Sequence, residues 1–158
     1  MKPCRIRLAI PADFETCALI FTRAWNCSLP EKPKQVTVDD IILLTEGELV
    51  HVAERGGKVA GFISVWEPES FIHHLYVDPE FWGMGIGTEL VDFMASLTRG
   101  RPLGLKCKVG NKLAMAFYRA RGFVETDERG EDEYGPWARL LRVSNPERQP
   151  MRSLKPYD

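Results

Sequence analysis

Phe71–Met94 reads FIHHLYVDPEFWGMGIGTELVDFM, and every other element of the chain can be placed around it. A short apolar strand passes through a turn into a run with glycine at 83, 85 and 87. Ile86, Leu90, Val91, Met94 and Leu97 then recur at helical spacing. The glycines therefore sit where a loop becomes a helix N-terminus. Glycine lets the backbone approach a ligand closely. The first-turn N–H groups of a helix lack internal partners, so they can donate to a phosphate with the dipole in their favour.

Upstream, Leu49–Arg55 and Lys58–Trp66 are strand-like and are joined at Gly56-Gly57, which predicts a hairpin closed by Pro68. Arg5–Leu8 predicts a first strand. Pro11 and Asp13 open a helix with Phe14, Cys17, Ala18, Phe21 and Trp25 on one face, ending before Pro30. EKPKQVT at 31–37 reads as an exposed loop and Val38–Thr45 as a second short helix. Such a helical pair can flank a substrate cleft.

Downstream, Gly100 and Pro102 end the long helix near Thr98, and Leu103–Val109 predicts a further central strand. Asn111–Arg121 is a helix stopped by Gly122 at the C′ position. Phe123–Asp127 and Trp137–Val143 are the last two strands. Glu125–Glu133 holds six acids and one arginine, which reads as a solvated loop or, less simply, as a negative rim that draws cationic amines. From Ser144 the proline-rich polar tail SNPERQPMRSLKPYD reads as loosely held. The expected organisation is one domain over residues 1–143 and a tail over 144–158.

With 158 residues and 44% hydrophobic content, one sizeable core is expected. The 21 basic and 22 acidic side chains leave a formal charge of −1, with no whole-chain excess to hold nucleic acid. No apolar run is long enough to cross a bilayer, and MKPCRIRLAI lacks the apolar core of a signal peptide, so no membrane partner is expected and a cytoplasmic location is. Cys4, Cys17, Cys27 and Cys107 show no CxxC pairing and only three histidines are present, so reduced cysteines and no metal are expected. Cys107, in an apolar strand, reads as a core residue ahead of a nucleophile. Oligomeric state is left open, with a homodimer among the options.

Two motifs in order carry a family resemblance. Trp82–Gly87 (WGMGIG) falls on an acyl-CoA loop pattern of Gln or Arg, two residues, Gly, one residue, then Gly or Ala. Asn111 is followed seven residues later by Tyr118, which precedes Gly122-Phe123. Over roughly residues 5–143 the chain resembles the GNAT acyltransferase family. The resemblance implies an α/β (α+β) fold with a mixed, mostly antiparallel central sheet, splayed at the middle strand and flanked by helices, with acetyl-CoA entering the gap. It also implies that Leu75, Tyr76 and Val77 hydrogen-bond the pantetheine arm through their backbone. Gly83, Met84, Gly85, Ile86, Gly87 and Thr88 would wrap the pyrophosphate. Asn111 would bind the pantetheine or an adjacent water, and Tyr118 would stand near the thioester sulfur, where its phenol can donate to the leaving thiolate. Trp82 departs from the pattern, leaving backbone amides and a helix terminus worth ~0.3–1 kcal/mol per favourable charge.

Acyl transfer to an amine needs a neutral amine. One with a pKa near ~10.4 is neutral in only about one molecule in 10³ at pH 7, so a proton acceptor offsets roughly 4–5 kcal/mol. His73, nine positions before Trp82, matches the position where some relatives acting on small amines carry an acid or histidine. It is the candidate base, directly or through water, with a core histidine as the alternative reading. Strand alternation is expected to put His73 and His74 on opposite faces. Relatives that acetylate protein N-termini often carry a glutamate where this chain has Lys106, which argues against that subclass and leaves Lys106 as a solvated strand residue. Trp25, Trp66, Trp82 and Trp137 read as core anchors or as acceptor-stacking rings.

The first functional expectation is an N-acetyltransferase moving an acetyl group from acetyl-CoA to a primary amine of a small molecule, by direct transfer in a ternary complex. The alternatives are a catalytically idle acyl-CoA sensor and a protein N-terminal or lysine acetyltransferase.

Overall fold

Along the chain run β1 (Arg5–Leu8), α1 (Phe14–Ser28), α2 (Val38–Leu44), β2 (Leu49–Arg55), β3 (Lys58–Trp66), β4 (Phe71–Val77), α3 (Ile86–Leu97), β5 (Leu103–Lys108), α4 (Lys112–Ala120), β6 (Val124–Asp132) and β7 (Gly135–Arg142). The computed structural model describes residues 3–143, and the tail expected from Ser144 onward lies outside them. The strands form one sheet in the order β1-β2-β3-β4-β5-β7-β6, antiparallel throughout except where β4 meets β5. The β2–β3 hairpin turns at Gly56 and Gly57, whose φ values of +59° and +79° are those a two-residue hairpin turn demands.

Each face of the sheet buries its own cluster. On one face, Ile86, Leu90, Val91 and Met94 of α3 and Met115 and Tyr118 of α4 pack against Ile63, Ile72, Leu105 and Leu140. On the other, Cys17, Ile20, Phe21 and Trp25 of α1 and Ile41 of α2 pack against Val50, Val52 and Phe62. The helical spacing of these residues is what puts each set on one stripe, and full burial of a side chain such as Leu90 is worth ~1.5–3 kcal/mol.

Two irregularities in β4 shape the gap. Its parallel pairing with β5 covers only Phe71↔Gly104 and Ile72↔Leu105, so the strands diverge beyond Ile72 and leave the Leu75–Val77 edge facing a cleft. Against β3 the register runs Ser64↔His74 and then Val65↔Ile72, which leaves His73 as an extra residue in a bulge. The bulge overturns the expectation that the two histidines face opposite sides: their rings stack at 4.1 Å between centroids.

The acidic segment is also corrected. Rather than a loop after a short strand, Val124–Asp132 is one nine-residue strand, and Arg129–Asp132 pair with Gly135–Ala138 of β7. Its charges are held by partners: Glu125 by Arg119 and Arg129 at 2.9 Å each, and Asp132 by Lys108. Among the described residues, no helix is long and apolar enough to cross a membrane.

Candidate active site

The glycine run folds as its sequence requires. Gly83 and Gly85 have φ of +83° and +82°, and a Cβ on either would meet nothing within 4 Å, so their need for glycine is conformational. Gly87 is different. A Cβ there would lie 3.1 Å from the Phe117 ring, so its glycine lets α4 approach the first turn of α3. The first intrahelical bond of α3 runs from Glu89 N–H to the Gly85 carbonyl, which leaves the N–H groups of Ile86, Gly87 and Thr88 ahead of the ladder. The turn before the run is braced by Asp78, whose Oδ1 accepts from Glu80 N–H at 3.0 Å and whose Oδ2 lies 3.3 Å from Arg23.

Two residues explain how the site lives with Trp82. The Trp82 indole N–H donates to the Val77 carbonyl at 2.7 Å, so this side chain closes the turn and occupies one of the backbone acceptors assigned to the pantetheine arm. The missing cation arrives from elsewhere: the Arg121 guanidinium donates to Thr88 Oγ1 and lies 5.5 Å from the Phe117 ring centroid. A positive charge thus stands at the N-terminus of α3 beside the free amides. Arg121 was not among the expected contacts, because its place depends on how α4 docks against α3.

These elements open into a cleft of about 850 Å³. Of the expected site residues, Leu75, Tyr76, Val77, Gly83, Gly85, Ile86, Gly87, Thr88, Asn111, Tyr118 and His73 line it; Met84 is exposed outside the lining. Asn111 caps α4, its Oδ1 accepting from Ala114 N–H at 3.1 Å, which leaves its amide N–H groups to donate to a ligand. Tyr118 is buried, edge-on to both Phe117 and Phe123. Burial, together with nearby Cys107 and Tyr76, pushes its phenol well above the usual range, so it stays protonated. Cys107 is raised to about 12 by burial and by Glu125, and is no thiolate at neutral pH.

On the α1 face His73 has a partner the sequence pattern did not suggest. Glu48, just after α2, places Oε2 2.5 Å from His73 Nδ1, while Ser64 Oγ donates to its Oε1. The Glu48 side chain is 8% exposed and that of His73 44%, so a buried carboxylate sits under a solvent-facing imidazole. Opposite a carboxylate oxygen that accepts, His73 Nδ1 is the donor of this pair, which turns Nε2 away from Glu48. His74 is buried, hydrogen-bonded to the Leu44 backbone, and its Nε2 has no partner. Burial and then the neighbouring His73 push it down to about 3, so it is neutral. Among the described residues, the donor atoms of Glu48, His73 and His74, all within 4.8 Å of one another, form a group that could hold a metal ion.

A model of the Acetyltransferase (GNAT) family matches residues 14–123. The chain belongs to the GNAT acetyltransferase family. Over 83 residues it is 35% identical to the 5-NmdU N-acetyltransferase of Pseudomonas phage PaMx11, a match covering 50% of this chain and 59% of that protein. The curated relatives it matches are covered over 39–62% of their lengths, under two thirds in each case. Its fold is that of a GCN5-related N-acetyltransferase from Rhodopseudomonas palustris (TM-score 0.77, 21% identity, 90% of this chain and 97% of that one). The PaiA N-acetyltransferase of Thermoplasma acidophilum, solved with coenzyme A, has the same fold (TM-score 0.72, 17% identity, 90% and 99%).

Other GNAT residues of this chain are also placed by the structure. The expectation that α1 and α2 both flank the cleft holds for α1, which lends Phe21, Ala24, Trp25 and Ser28; the second contribution is Lys34, from the connection between the helices. Lys106 is the exposed strand residue expected, and it also lines the cleft, with its ammonium 4.3 Å from the Trp137 ring centroid. Of the four tryptophans only Trp25 is a buried anchor; Trp66 and Trp82 are about two-fifths exposed.

Proposed function

We propose that this GNAT domain, residues 1–143, is an N-acetyltransferase that moves an acetyl group from acetyl-CoA to the primary amine of a small molecule. The observation that carries the reading is the Glu48–His73 pair opening onto the same cleft as the α3 N-terminus and Tyr118. Acetyl-CoA, as substrate, supplies the activated thioester. The free amides of Ile86, Gly87 and Thr88 and the Arg121 guanidinium would hold its phosphates, and the Leu75–Val77 edge its pantetheine arm.

In this reading His73 Nε2 takes the proton from the acceptor ammonium, and Glu48 fixes the tautomer and balances the imidazolium that forms. The amine nitrogen then bonds to the acyl carbon as the carbon–sulfur bond breaks; the Tyr118 phenol gives its proton to the departing thiolate, and the second proton lost by the nitrogen on forming the amide returns through water to the phenolate, so that the net proton released is the one His73 took. Transfer is direct: the one thiol lining the cleft, Cys107, is protonated. This reading needs no metal, because the Glu48–His73 pair by itself supplies the base and its counter-charge. A cytoplasmic monomer or homodimer completes the proposal.

The test is acceptor-dependent thiol release from acetyl-CoA across amines, amino acids and peptides, with and without a chelator. Release that peptides alone support would replace the small-molecule reading. Binding of coenzyme A with no release from any acceptor would favour an idle sensor, and loss of rate on chelation would put a metal at Glu48, His73 and His74.

A further inference from the structure

Lys34 lines the cleft from the connection between α1 and α2, outside both the core and the acyl-donor half. Its backbone is clamped by a single side chain: Asn26 Nδ2 donates to the Lys34 carbonyl at 2.9 Å, and Lys34 N–H donates to Asn26 Oδ1 at 2.8 Å. Its ammonium lies 3.9 Å from the Trp25 ring centroid and 4.2 Å from that of Tyr134. Trp25 itself is fixed by donating to the Lys32 carbonyl at 2.8 Å.

The charge so positioned is half-buried and has no ion-pair partner among the described residues. Burial, and then the nearby Lys108, lower its pKa, against the weaker pull of Asp132 and Glu133. Lys106 and Lys108 line the same cleft. Its one lining carboxylate is Asp132, already bound to Lys108. A partly desolvated cation without a counter-ion is costly, and a cleft lined by one sign of charge concentrates ligands of the other.

Resting on the acetyl-transfer reading above, we propose that the acceptor amine carries an anionic group, a carboxylate or a phosphate, which Lys34 seats while the amine reaches His73. The path between the two seats is on the page: Lys34 Nζ and the His74 ring each lie 5.5 Å from the Phe21 ring centroid, and His73 stacks on His74. A small molecule spans it. The same arrangement rejects polyamines, whose second cation would meet three lysines. The paired acids of β6 do nothing to offset them except through Asp132.

The experiment uses amines of one chain length that differ at the far end: an ω-amino carboxylate, an aminoalkyl phosphate, an amino alcohol and a diamine. With saturating acetyl-CoA, kcat/KM is expected to be about tenfold or more higher for an anionic member than for the alcohol, and lowest for the diamine. The carboxylate and phosphate arms show which anion is taken. Lys34→Met is expected to erase the preference and Lys34→Arg to keep it. Calorimetric binding of the same amines with coenzyme A present gives the same ranking without turnover. An alcohol or diamine equal to or better than both anions, or a preference that survives in Lys34→Met, overturns the proposal. Absence of thiol release with every amine sinks the acetyl-transfer reading alone, and the binding ranking then still decides for or against the anion seat.

Discussion

On the α3–α4 face the cleft is made largely of backbone, whereas on the α1 face it is made of side chains drawn from four separate segments. The first half consists of a glycine-shaped turn, three unpaired amides and the bare edge of β4, with Arg121 as the added charge. The second consists of His73 with Glu48 behind it, Lys34 and Lys106, from the β4 bulge, the α2–β2 connection, the α1–α2 connection and β5. Backbone sites tolerate side-chain change and fail when the chain cannot follow its path. Side-chain sites fail one substitution at a time.

The sharpest way to break the contrast is at the side-chain half. His73→Ala is expected to lower kcat by about 10²–10⁴-fold, the usual span for a general base. Glu48→Gln should cost less, because the imidazole survives while its tautomer is no longer fixed. Tyr118→Phe should lower kcat with KM for acetyl-CoA little changed. Steady-state kinetics over pH 6–9 reads all three, and an unaltered rate in His73→Ala would remove the base from the mechanism.

At the backbone half the sensitive position is where another element comes close. Gly87→Val adds atoms at a point where even a Cβ sits 3.1 Å from the Phe117 ring. Overpacking of this kind costs ~1–3 kcal/mol, and displacement of α4 also moves Arg121. A rise in KM for acetyl-CoA of about tenfold with a lowered thermal midpoint is expected. Thr88→Val, at the neighbouring position, removes the hydroxyl that holds Arg121 and should change KM with the midpoint nearly kept.

The same division explains what the sequence made legible. The glycine run, the Asn111–Phe123 segment and every strand up to β5 follow from local patterns, because turn chemistry and hydrophobic period are written within a few residues. The stacking of His73 on His74 was not, since alternation predicts opposite faces and only pairing with β3 creates the bulge. Glu48, 25 residues before His73, is found by no spacing rule. The C-terminal half of β6 is not legible either, because its acids discourage a strand while the ion pairs and the β7 partner that offset them lie elsewhere in the chain.

The two halves also differ in what acid does to them. His74 has its folded pKa lowered to about 3 from an ordinary 6.5, chiefly by burial, and buried His51 is lowered for the same first reason. The unfolded chain therefore binds protons that the native chain refuses, so stability is complete above about pH 6.5 and falls as pH drops towards 3. His74 alone contributes a slope approaching ~1.4 kcal/mol per pH unit inside that window. Urea unfolding between pH 7 and 5, where carboxylates stay ionised, should show this fall, and His74→Gln should flatten it.

The smallest expected effect is the most informative about the glycine loop. Arg121→Gln removes the cation beside the α3 amides, and a rise in KM for acetyl-CoA of about 5–10-fold, shrinking as salt is added, follows from the loss of one charge-assisted contact. Trp82→Arg puts a cation at the position where the family pattern carries Gln or Arg, but removes the indole donor to the Val77 carbonyl that closes the turn. In the wild-type background the two changes should nearly cancel, within about threefold, because Arg121 already supplies the charge. In the Arg121→Gln background the same Trp82→Arg change should restore most of the lost affinity. A double variant no better than Arg121→Gln alone would mean that the position of the charge, and not its presence, is what the α3 terminus needs, and Arg121 would then belong to the side-chain half of the site.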